Sequence, residues 1–354
     1  MMNTMTSATT VAIAVPLEAE LVDRIRAVDP SVTVLYEPDL LPPERFPADH
    51  AGDPRFRRTP EQEERYWSML KRAQVLYGFP NESPSGLARI ANENEHLQWV
   101  HAMAAGAGGA VKASGLDQKT LQKFKVTTSA GVHALPLAEF AAMGILNGFK
   151  RTADLVRDQQ ARNWPALRTP TRLVSGSRLV IAGLGEIGLE TARLARALGM
   201  TVSGTKRTLE PLEGIDQVTG NDGLAGLLAT ADAVVNTLPG TPYTEKLFNR
   251  DAFAAMKPGT VFVNVGRGTV VDEEALLEAL DNGHVSYACL DVFAVEPLPL
   301  ESPLWGHPKV LVSPHTSALS AAENRLIAER FCTNLRTFLD GGELPHLVDT
   351  VHFY

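Results

Sequence analysis

The strongest indication of the fold is the segment RLVIAGLGEIGLETARLARALG, residues 178–199. An apolar run ends in the spacing GxGxxG at Gly183, Gly185 and Gly188, and a helical pattern follows. In a dinucleotide-binding unit the first glycine makes the tight turn, the second lets a pyrophosphate approach the backbone, and the third lets helix and strand pack closely. The stretch therefore predicts a dinucleotide site at the N-terminus of the helix. A flavodoxin-like sheet with a fortuitous glycine turn is the alternative.

Downstream of this turn, apolar runs alternate regularly with helical patterns. This alternation predicts an α/β domain with a doubly wound parallel sheet of the Rossmann type. The predicted strands are 178–183, 200–205, 232–238, 259–265, 285–292 and 309–314, and the predicted helices are 187–198, 222–230, 249–257 and 272–282.

Upstream, the segments 10–15, 17–28 and 31–37 predict a βαβ opening. Residues 38–60 contain six prolines, which predict a loop or arm because proline removes donors and fixes φ. This segment is either a surface insertion or a lid or subunit-clasping arm. Further predicted elements are a helix at 61–73, strands within 74–80 and 97–110, a long helix at 135–164 that lies in the core or in a dimer interface, and a final helix at 320–342.

Composition excludes several classes of protein. The chain has 354 residues, enough for two domains, and a net charge of −8, which offers no basic field to nucleic acid or an anionic membrane. Cys289 and Cys332 stand in no ligand-like cluster, so we expect no disulfide, no structural zinc and a reducing cytoplasm. No signal peptide or membrane-spanning run is predicted.

The end of the second predicted strand of this sheet carries two bases where an acid is expected. An Asp or Glu there would hold the ribose hydroxyls of NAD, whereas the sequence has Lys206 and Arg207. Two cations favour the 2′-phosphate of NADP, although NAD remains possible. A pair of solvated charges is the alternative interpretation.

Three polar residues follow three successive strands at the edge where open α/β sheets bind ligands. Arg267 can hold a carboxylate bidentately and polarise a carbonyl group. His315 is the side chain whose charge ordinarily changes near neutral pH, and an ionised Glu296 beside it would favour the imidazolium and fix its tautomer. Singly, each has an ordinary explanation as a surface charge, a loop residue or a turn residue. Together they suit hydride transfer involving a 2-hydroxy acid.

The segments GLGEIG, LPGTPYTEKLFN, MKPGTVFVNVGRGTVVDEEALLEAL, LDVFAVEPLP and SPLWGHPKVLVSPHTSA resemble the D-isomer-specific 2-hydroxyacid dehydrogenase family. The resemblance implies that Arg267 binds the substrate, that Glu296 is the partner of the base and that His315 is the general acid/base. It also implies a substrate wall at Tyr77, Gly78 and Phe79, and backbone N–H groups for the substrate carboxylate at Ala105 and Gly106. The implied cofactor groove comprises Gly183, Gly185, Glu186, Ile187, Gly188, Lys206, Arg207, Leu238, Pro239, Thr244, Val265, Gly266 and Asp291, the last holding the nicotinamide carboxamide.

The resemblance also implies an organisation in domains. Residues 1–134 and 320–354 would form a smaller flavodoxin-like substrate domain, and 135–319 the NAD(P)-binding domain, with the active site in a cleft that closes. Family members are commonly homodimers built on the cofactor domain. The bases at 206 and 207 and the proline-rich segment depart from the family pattern, and we expect no regulatory domain after the last helix.

The sequence therefore predicts an NADPH-preferring reductase of a small 2-keto acid such as glyoxylate or hydroxypyruvate, or of a phenylpyruvate-like acid. Formate dehydrogenases pair the histidine with glutamine, so Glu296 argues against that activity. Two alternatives stay open: a phosphite-type dehydrogenase of the same fold, and a dinucleotide-sensing corepressor.

Overall fold

The computed structural model describes residues 9–351 and residue 353. The chain divides into two compact units. Unit 1 comprises Met1–His133 and Leu319–Tyr354, and unit 2 comprises Ala134–Ala318. Each unit contains its own parallel sheet.

The first segment of unit 1 alternates strands and helices. Its five strands are parallel, in the order β2-β1-β3-β4-β5. This order is the flavodoxin-like one, which agrees with the predicted α/β class. The elements are β1 (Thr9–Ile13), α1 (Ala19–Arg26), β2 (Val32–Leu35), α2 (Pro60–Lys71), β3 (Val75–Tyr77), α3 (Pro84–Glu93), β4 (Trp99–His101), α4 (Gly108–Ala113), α5 (Gln118–Leu121) and β5 (Lys125–Thr127).

Unit 2 has seven parallel strands in the order β12-β11-β10-β9-β6-β7-β8. The order reverses beside β6, as in a Rossmann-type doubly wound sheet. The elements are α6 (Ala134–Lys150), α7 (Thr152–Gln160), β6 (Arg178–Ala182), α8 (Glu186–Ala197), β7 (Thr201–Thr205), β8 (Gln217–Thr219), α9 (Leu224–Leu228), β9 (Ala233–Asn236), α10 (Arg250–Ala255), β10 (Thr260–Asn264), α11 (Glu273–Asn282), β11 (Val285–Leu290) and β12 (Val310–Val312).

The last helix, α12 (Glu323–Leu339), belongs to unit 1. Its apolar face, including Ile327 and Phe331, is fully buried in a core shared with Val11 and Tyr77 of the sheet. The helix therefore completes the core of the unit that the N-terminal segment begins.

The structure corrects the predicted elements in three places. The single long helix expected at 135–164 is two helices, because Arg151 adopts a left-handed backbone conformation with a φ of 56°. Strand β8 was not predicted, since Gln217–Thr219 is a short edge strand with no buried residue. In unit 1, the helices α3, α4 and α5 and the strand β5 were also missed.

Candidate active site

The glycine turn of unit 2 has the geometry that the spacing predicts. Gly183 directly follows β6 and has a φ of 102°, and Gly185 is the N-cap residue of α8. A Cβ on Gly188 would lie 2.2 Å from the carbonyl oxygen of Gly183, so helix and strand can approach only with glycine there. A Cβ on Gly185 would meet no heavy atom within 4 Å. Open space over a helix N-terminus fits the pyrophosphate of a dinucleotide.

The two predicted bases follow β7 directly. The amide of Lys206 donates to the carbonyl oxygen of Thr219 at 2.9 Å, which fixes the strand end. The Lys206 ammonium forms an ion pair with Glu210 at 2.9 Å. Arg207 is exposed, and no carboxylate of the described residues lies within 4.0 Å of it. Lys206 is therefore engaged in a local ion pair, and the guanidinium of Arg207 is available to bind a ligand.

Two buried asparagines, which the sequence analysis did not select, hold the loop edge between β9 and β10. Asn236 donates from Nδ2 to Oδ1 of Asn264 at 2.8 Å. Asn264 Oδ1 also accepts from the amide of Gly266 at 3.1 Å, and its Nδ2 donates to the carbonyl oxygen of Arg267 at 3.3 Å. Each asparagine is a polar residue in an otherwise apolar strand. This exception was the sequence signal that could have identified the two asparagines.

This hydrogen-bond network of the two asparagines fixes the backbone at Arg267. Arg267 lies three residues after β10, and its side chain is exposed. Its Nη1 donates to the carbonyl oxygen of Gly266 at 2.7 Å. The remaining guanidinium donors can therefore bind a carboxylate.

The structure brings the predicted base and its partner together. His315 Nδ1 lies 2.7 Å from Oε2 of Glu296. The other carboxylate oxygen of Glu296 accepts from the amide of Phe293 at 2.9 Å, which orients the carboxylate. No described residue forms a hydrogen bond with Nε2 of His315, and the side chain is 49% exposed. With Nδ1 engaged, Nε2 is the nitrogen that can exchange a proton with a substrate.

Asp291 holds the loop that carries His315. The Asp291 side chain is 1% exposed. Its Oδ1 accepts from Ser313 Oγ at 2.6 Å and from the amides of Thr316 and Ser317 at 2.9 and 3.0 Å. Its Oδ2 accepts from Ser317 Oγ at 2.5 Å. This supporting role was not predicted. The expected contact with a nicotinamide carboxamide stays a prediction.

The other predicted cofactor residues surround the same edge of unit 2. Thr244 is 6% exposed, and its hydroxyl donates to the carbonyl oxygen of Pro239 at 2.6 Å, so it closes its own turn. Any contact that Thr244 makes with a cofactor would therefore depend on the shape of its side chain and not on its hydroxyl group. The remaining residues lie at the start of α8, after β9 and after β10: Glu186, Ile187, Leu238 and Val265.

In unit 1 the predicted substrate residues lie at the end of β3, where Tyr77 is the last strand residue, and in the loops that follow β3 and β4. Ala105 and Gly106 are exposed in the loop between β4 and α4, where their backbone can contact a ligand. Tyr77 and Phe79 are 0% and 3% exposed and pack in the core. Because the Phe79 side chain packs in the core, only the backbone of this loop could form the predicted substrate wall at this position.

No described helix combines the length and apolar character required to cross a membrane. Within residues 9–351 and 353, no group of three or more His, Cys, Asp or Glu side chains is arranged to hold a metal ion.

Comparisons with known sequences point to one protein family. Residues 142–317 match the family described as D-isomer specific 2-hydroxyacid dehydrogenase, NAD binding domain. The chain is 30% identical to glyoxylate/hydroxypyruvate reductase A of Yersinia enterocolitica over 221 residues, which are 62% of this chain and 69% of that protein. It is 28% identical to the protein of the same name from Serratia proteamaculans over 81% of this chain and 90% of the other.

Solved structures extend the likeness to almost the whole chain. A D-isomer specific 2-hydroxyacid dehydrogenase from Xanthobacter autotrophicus Py2, in complex with NADPH and MES, is 29% identical with a TM-score of 0.73 and matches over 98% of this chain and 100% of that one. The NADPH-dependent glyoxylate/hydroxypyruvate reductase of Sinorhizobium meliloti, in complex with NADP and sulfate, is 25% identical with a TM-score of 0.70 over the same shares.

Proposed function

Because the chain belongs to the D-isomer-specific 2-hydroxyacid dehydrogenase family, we propose that it is an NADPH-preferring reductase of small 2-keto acids. It is an NAD(P)-dependent oxidoreductase that transfers a hydride between a nicotinamide and a 2-keto or 2-hydroxy acid. Glyoxylate and hydroxypyruvate are the substrates that the names of its relatives suggest.

The observation that carries the proposal is the 2.7 Å contact between His315 Nδ1 and Glu296 Oε2 at the loop edge of the sheet. Arg267 binds the substrate carboxylate and polarises the carbonyl group. His315 donates a proton from Nε2 to the carbonyl oxygen, and Glu296 stabilises the imidazolium before transfer. When bound, the dihydronicotinamide supplies the hydride.

We assign the dinucleotide to unit 2 and the walls of the substrate pocket to unit 1. The glycine turn at Gly183–Gly188 holds the pyrophosphate, and Asp291 holds the nicotinamide carboxamide. The backbone at Ala105 and Gly106 contacts the substrate carboxylate. These assignments follow the family pattern, and the open space at Gly185 supports the first of them.

The test is turnover. Purified protein with NADPH and a panel of 2-keto acids at neutral pH should oxidise NADPH with glyoxylate or hydroxypyruvate. Tight dinucleotide binding without turnover of any acid would favour a sensor of the corepressor type instead. Turnover of phosphite with NADP and not of 2-hydroxy acids would favour a phosphite-type dehydrogenase.

The preference for NADPH rests on Lys206 and Arg207. A charge-assisted hydrogen bond contributes about 1.5–3 kcal/mol, roughly ten- to a hundredfold in affinity. We expect kcat/KM to be higher with NADPH than with NADH, and the ratio to fall by at least about tenfold in Arg207→Gln. Replacing Glu210 with Gln frees Lys206 from its ion pair and should not lower the ratio. A wild type that prefers NADH would contradict the assignment.

We further propose a cytoplasmic homodimer built on unit 2. Both cysteines are free, as in a reducing compartment. Helix α7 has no buried residue. The side chains of Leu155, Trp164 and Leu167 are 60%, 89% and 88% exposed and line one cavity of about 680 Å³. Charged side chains such as Arg157 and Asp158 also line this cavity. Exposed apolar side chains grouped in this way mark an interaction site, and a second copy of the chain would cover them.

A further inference from the structure

The turn that carries Glu296 comprises residues 293–296 and is called the Glu296 turn below. It follows β11 in unit 2 and places Glu296 beside the proposed acid. The Phe293 side chain is 5% exposed and packs in the core of unit 2, whereas residues 294–296 are exposed. No described residue makes a backbone-to-backbone hydrogen bond with this turn. The position of the Glu296 carboxylate therefore depends on contacts that side chains make with the turn.

Two glutamates supply the hydrogen bonds that hold the backbone of the turn. Glu296 accepts from the amide of Phe293 at 2.9 Å, so it closes its own turn. Oε1 of Glu273 accepts from the amide of Ala294 at 2.7 Å. Among the described residues, this second bond is the one hydrogen bond that joins the backbone of the turn to another element, α11. A carboxylate acceptor makes such a bond roughly twice as strong as a bond between neutral groups.

The backbone of Glu273 is itself held in place. Glu273 is the first residue of α11, and Asp272 caps this helix by accepting from the amide of Ala275 at 3.3 Å. Asp272 also pairs with Lys246 at 3.3 Å. The Glu273 carboxylate lies in the first turn of the helix, where the free N–H groups favour negative charge. The acceptor for the Glu296 turn therefore has a fixed base.

The connection between β10 and α11 contacts the Glu296 turn a second time, through Gly268. A Cβ on Gly268 would lie 1.8 Å from the carbonyl carbon of Phe293 and 2.0 Å from its oxygen, so the two segments can approach only with glycine there. Arg267 immediately precedes this glycine. One short connection, residues 265–272, therefore carries the proposed substrate-binding arginine, packs against the turn and leads to the glutamate that holds it.

We propose that Glu273 is a positioning residue of the proposed reduction. By holding the amide of Ala294, its carboxylate keeps Glu296 in line with Nδ1 of His315, 2.7 Å away. The inference rests on the proposed reductase activity and adds to it a residue that acts through Glu296. A displacement of about 1 Å at a reacting group can lower a rate by about a hundredfold. The loss of one supporting hydrogen bond is a smaller disturbance, for which we expect about tenfold.

The test compares three variants in the first turn of α11. Glu273→Ala removes the acceptor and should lower kcat/KM for the best 2-keto acid substrate, with NADPH, by about tenfold. Glu273→Gln removes the charge and keeps an oxygen acceptor, so its kcat/KM should stay within about threefold of the wild type. Glu274→Ala is the matched control, since it removes the same charge from the same helix turn and Glu274 is exposed. It should keep the wild-type kcat/KM, and all three variants should keep the wild-type Kd for NADPH.

A double-mutant cycle separates positioning from a general loss of packing. In a chain that already has Glu296→Ala, Glu273→Ala should lower kcat/KM by less than about twofold, because no carboxylate remains to be aligned. An equal loss in both backgrounds overturns the inference and leaves the reductase activity standing. The same holds if Glu273→Ala keeps full activity, or if Glu273→Gln is as impaired as Glu273→Ala. A wild type that binds NADPH and reduces no 2-keto acid overturns both.

Discussion

At the scale of single residues, the backbone of His315 needs support. Its φ of 56° is left-handed, which costs a residue with a Cβ about 1–2 kcal/mol and persists only where the surroundings hold it. The support comes from Asp291, whose carbonyl oxygen accepts from the amide of His315 at 2.9 Å while its carboxylate holds Thr316 and Ser317. The proposed acid is thus positioned by the end of β11 as well as by Glu296.

The proposed roles of His315 and Arg267 can be tested separately from cofactor binding. We expect His315→Ala and Arg267→Ala each to lower kcat/KM for the 2-keto acid by about 10²–10⁴-fold, the contribution of a positioned proton donor or charge. Neither side chain is assigned to the dinucleotide, so the Kd for NADPH should change little. His284→Ala is the control, since His284 precedes β11 at the opposite edge of the sheet. Full activity in either variant would remove that residue from the mechanism.

Glu82 predicts a pH dependence of stability. Burial raises its pKa from the ordinary 4.5 to about 7. Between these values the folded chain keeps a proton that the unfolded chain has lost, so this group's contribution to stability falls as the pH rises. Glu82→Gln removes the loss, and its Tm relative to the wild type should therefore be higher at pH 8 than at pH 5. The exposed Glu343→Gln should show no such change. An equal difference at both pH values would contradict the assignment.

At the scale of elements, the predicted long helix is divided into α6 and α7 for a physical reason that the sequence composition does not reveal. Helix α6 buries Leu137, Ile145 and Phe149, whereas α7 buries nothing. The break falls at Arg151, neither glycine nor proline, and is held by ion pairing to Asp154 at 2.5 Å. Sequence patterns recognise the usual helix-ending residues, so a break held by a side-chain contact could not be predicted.

If α7 and the segment after it form a dimer interface, charges placed there should separate the subunits. We expect Trp164→Glu and Leu167→Glu to convert a dimer into a monomer in light scattering, because each replaces an apolar side chain that the proposed interface would bury with a carboxylate. Leu300→Glu is a control of equal exposure outside this surface, since Leu300 is 93% exposed. A wild type of single-chain mass, or variants that stay dimeric, would refute the interface.

At the scale of the whole molecule, the elements that could be predicted are those that follow a repeating sequence pattern. Six of the seven strands of unit 2 were predicted because apolar runs, turns and helices recur, and the ends of three of them lead to Arg267, Glu296 and His315. The supporting contacts were not predictable. Whether Asp291 holds a loop depends on which side chains the fold brings together from distant positions. The assignment of cofactor and substrate to different units remains a prediction.

That assignment predicts what each part of the chain does alone. Unit 2 is one continuous segment, Ala134–Ala318, and its sheet is covered by two apolar cores made of its own residues. A segment with its own core can fold independently. We therefore expect a protein of residues 134–318 to give a cooperative thermal transition and to bind NADPH, with a Tm about 5–10 °C higher at 100 times the Kd. It should reduce no 2-keto acid, because unit 1 supplies the proposed substrate contacts. The same fragment with Arg207→Gln is the control and should need more NADPH for the same rise. A fragment that folds and does not bind NADPH would place part of the dinucleotide site in unit 1.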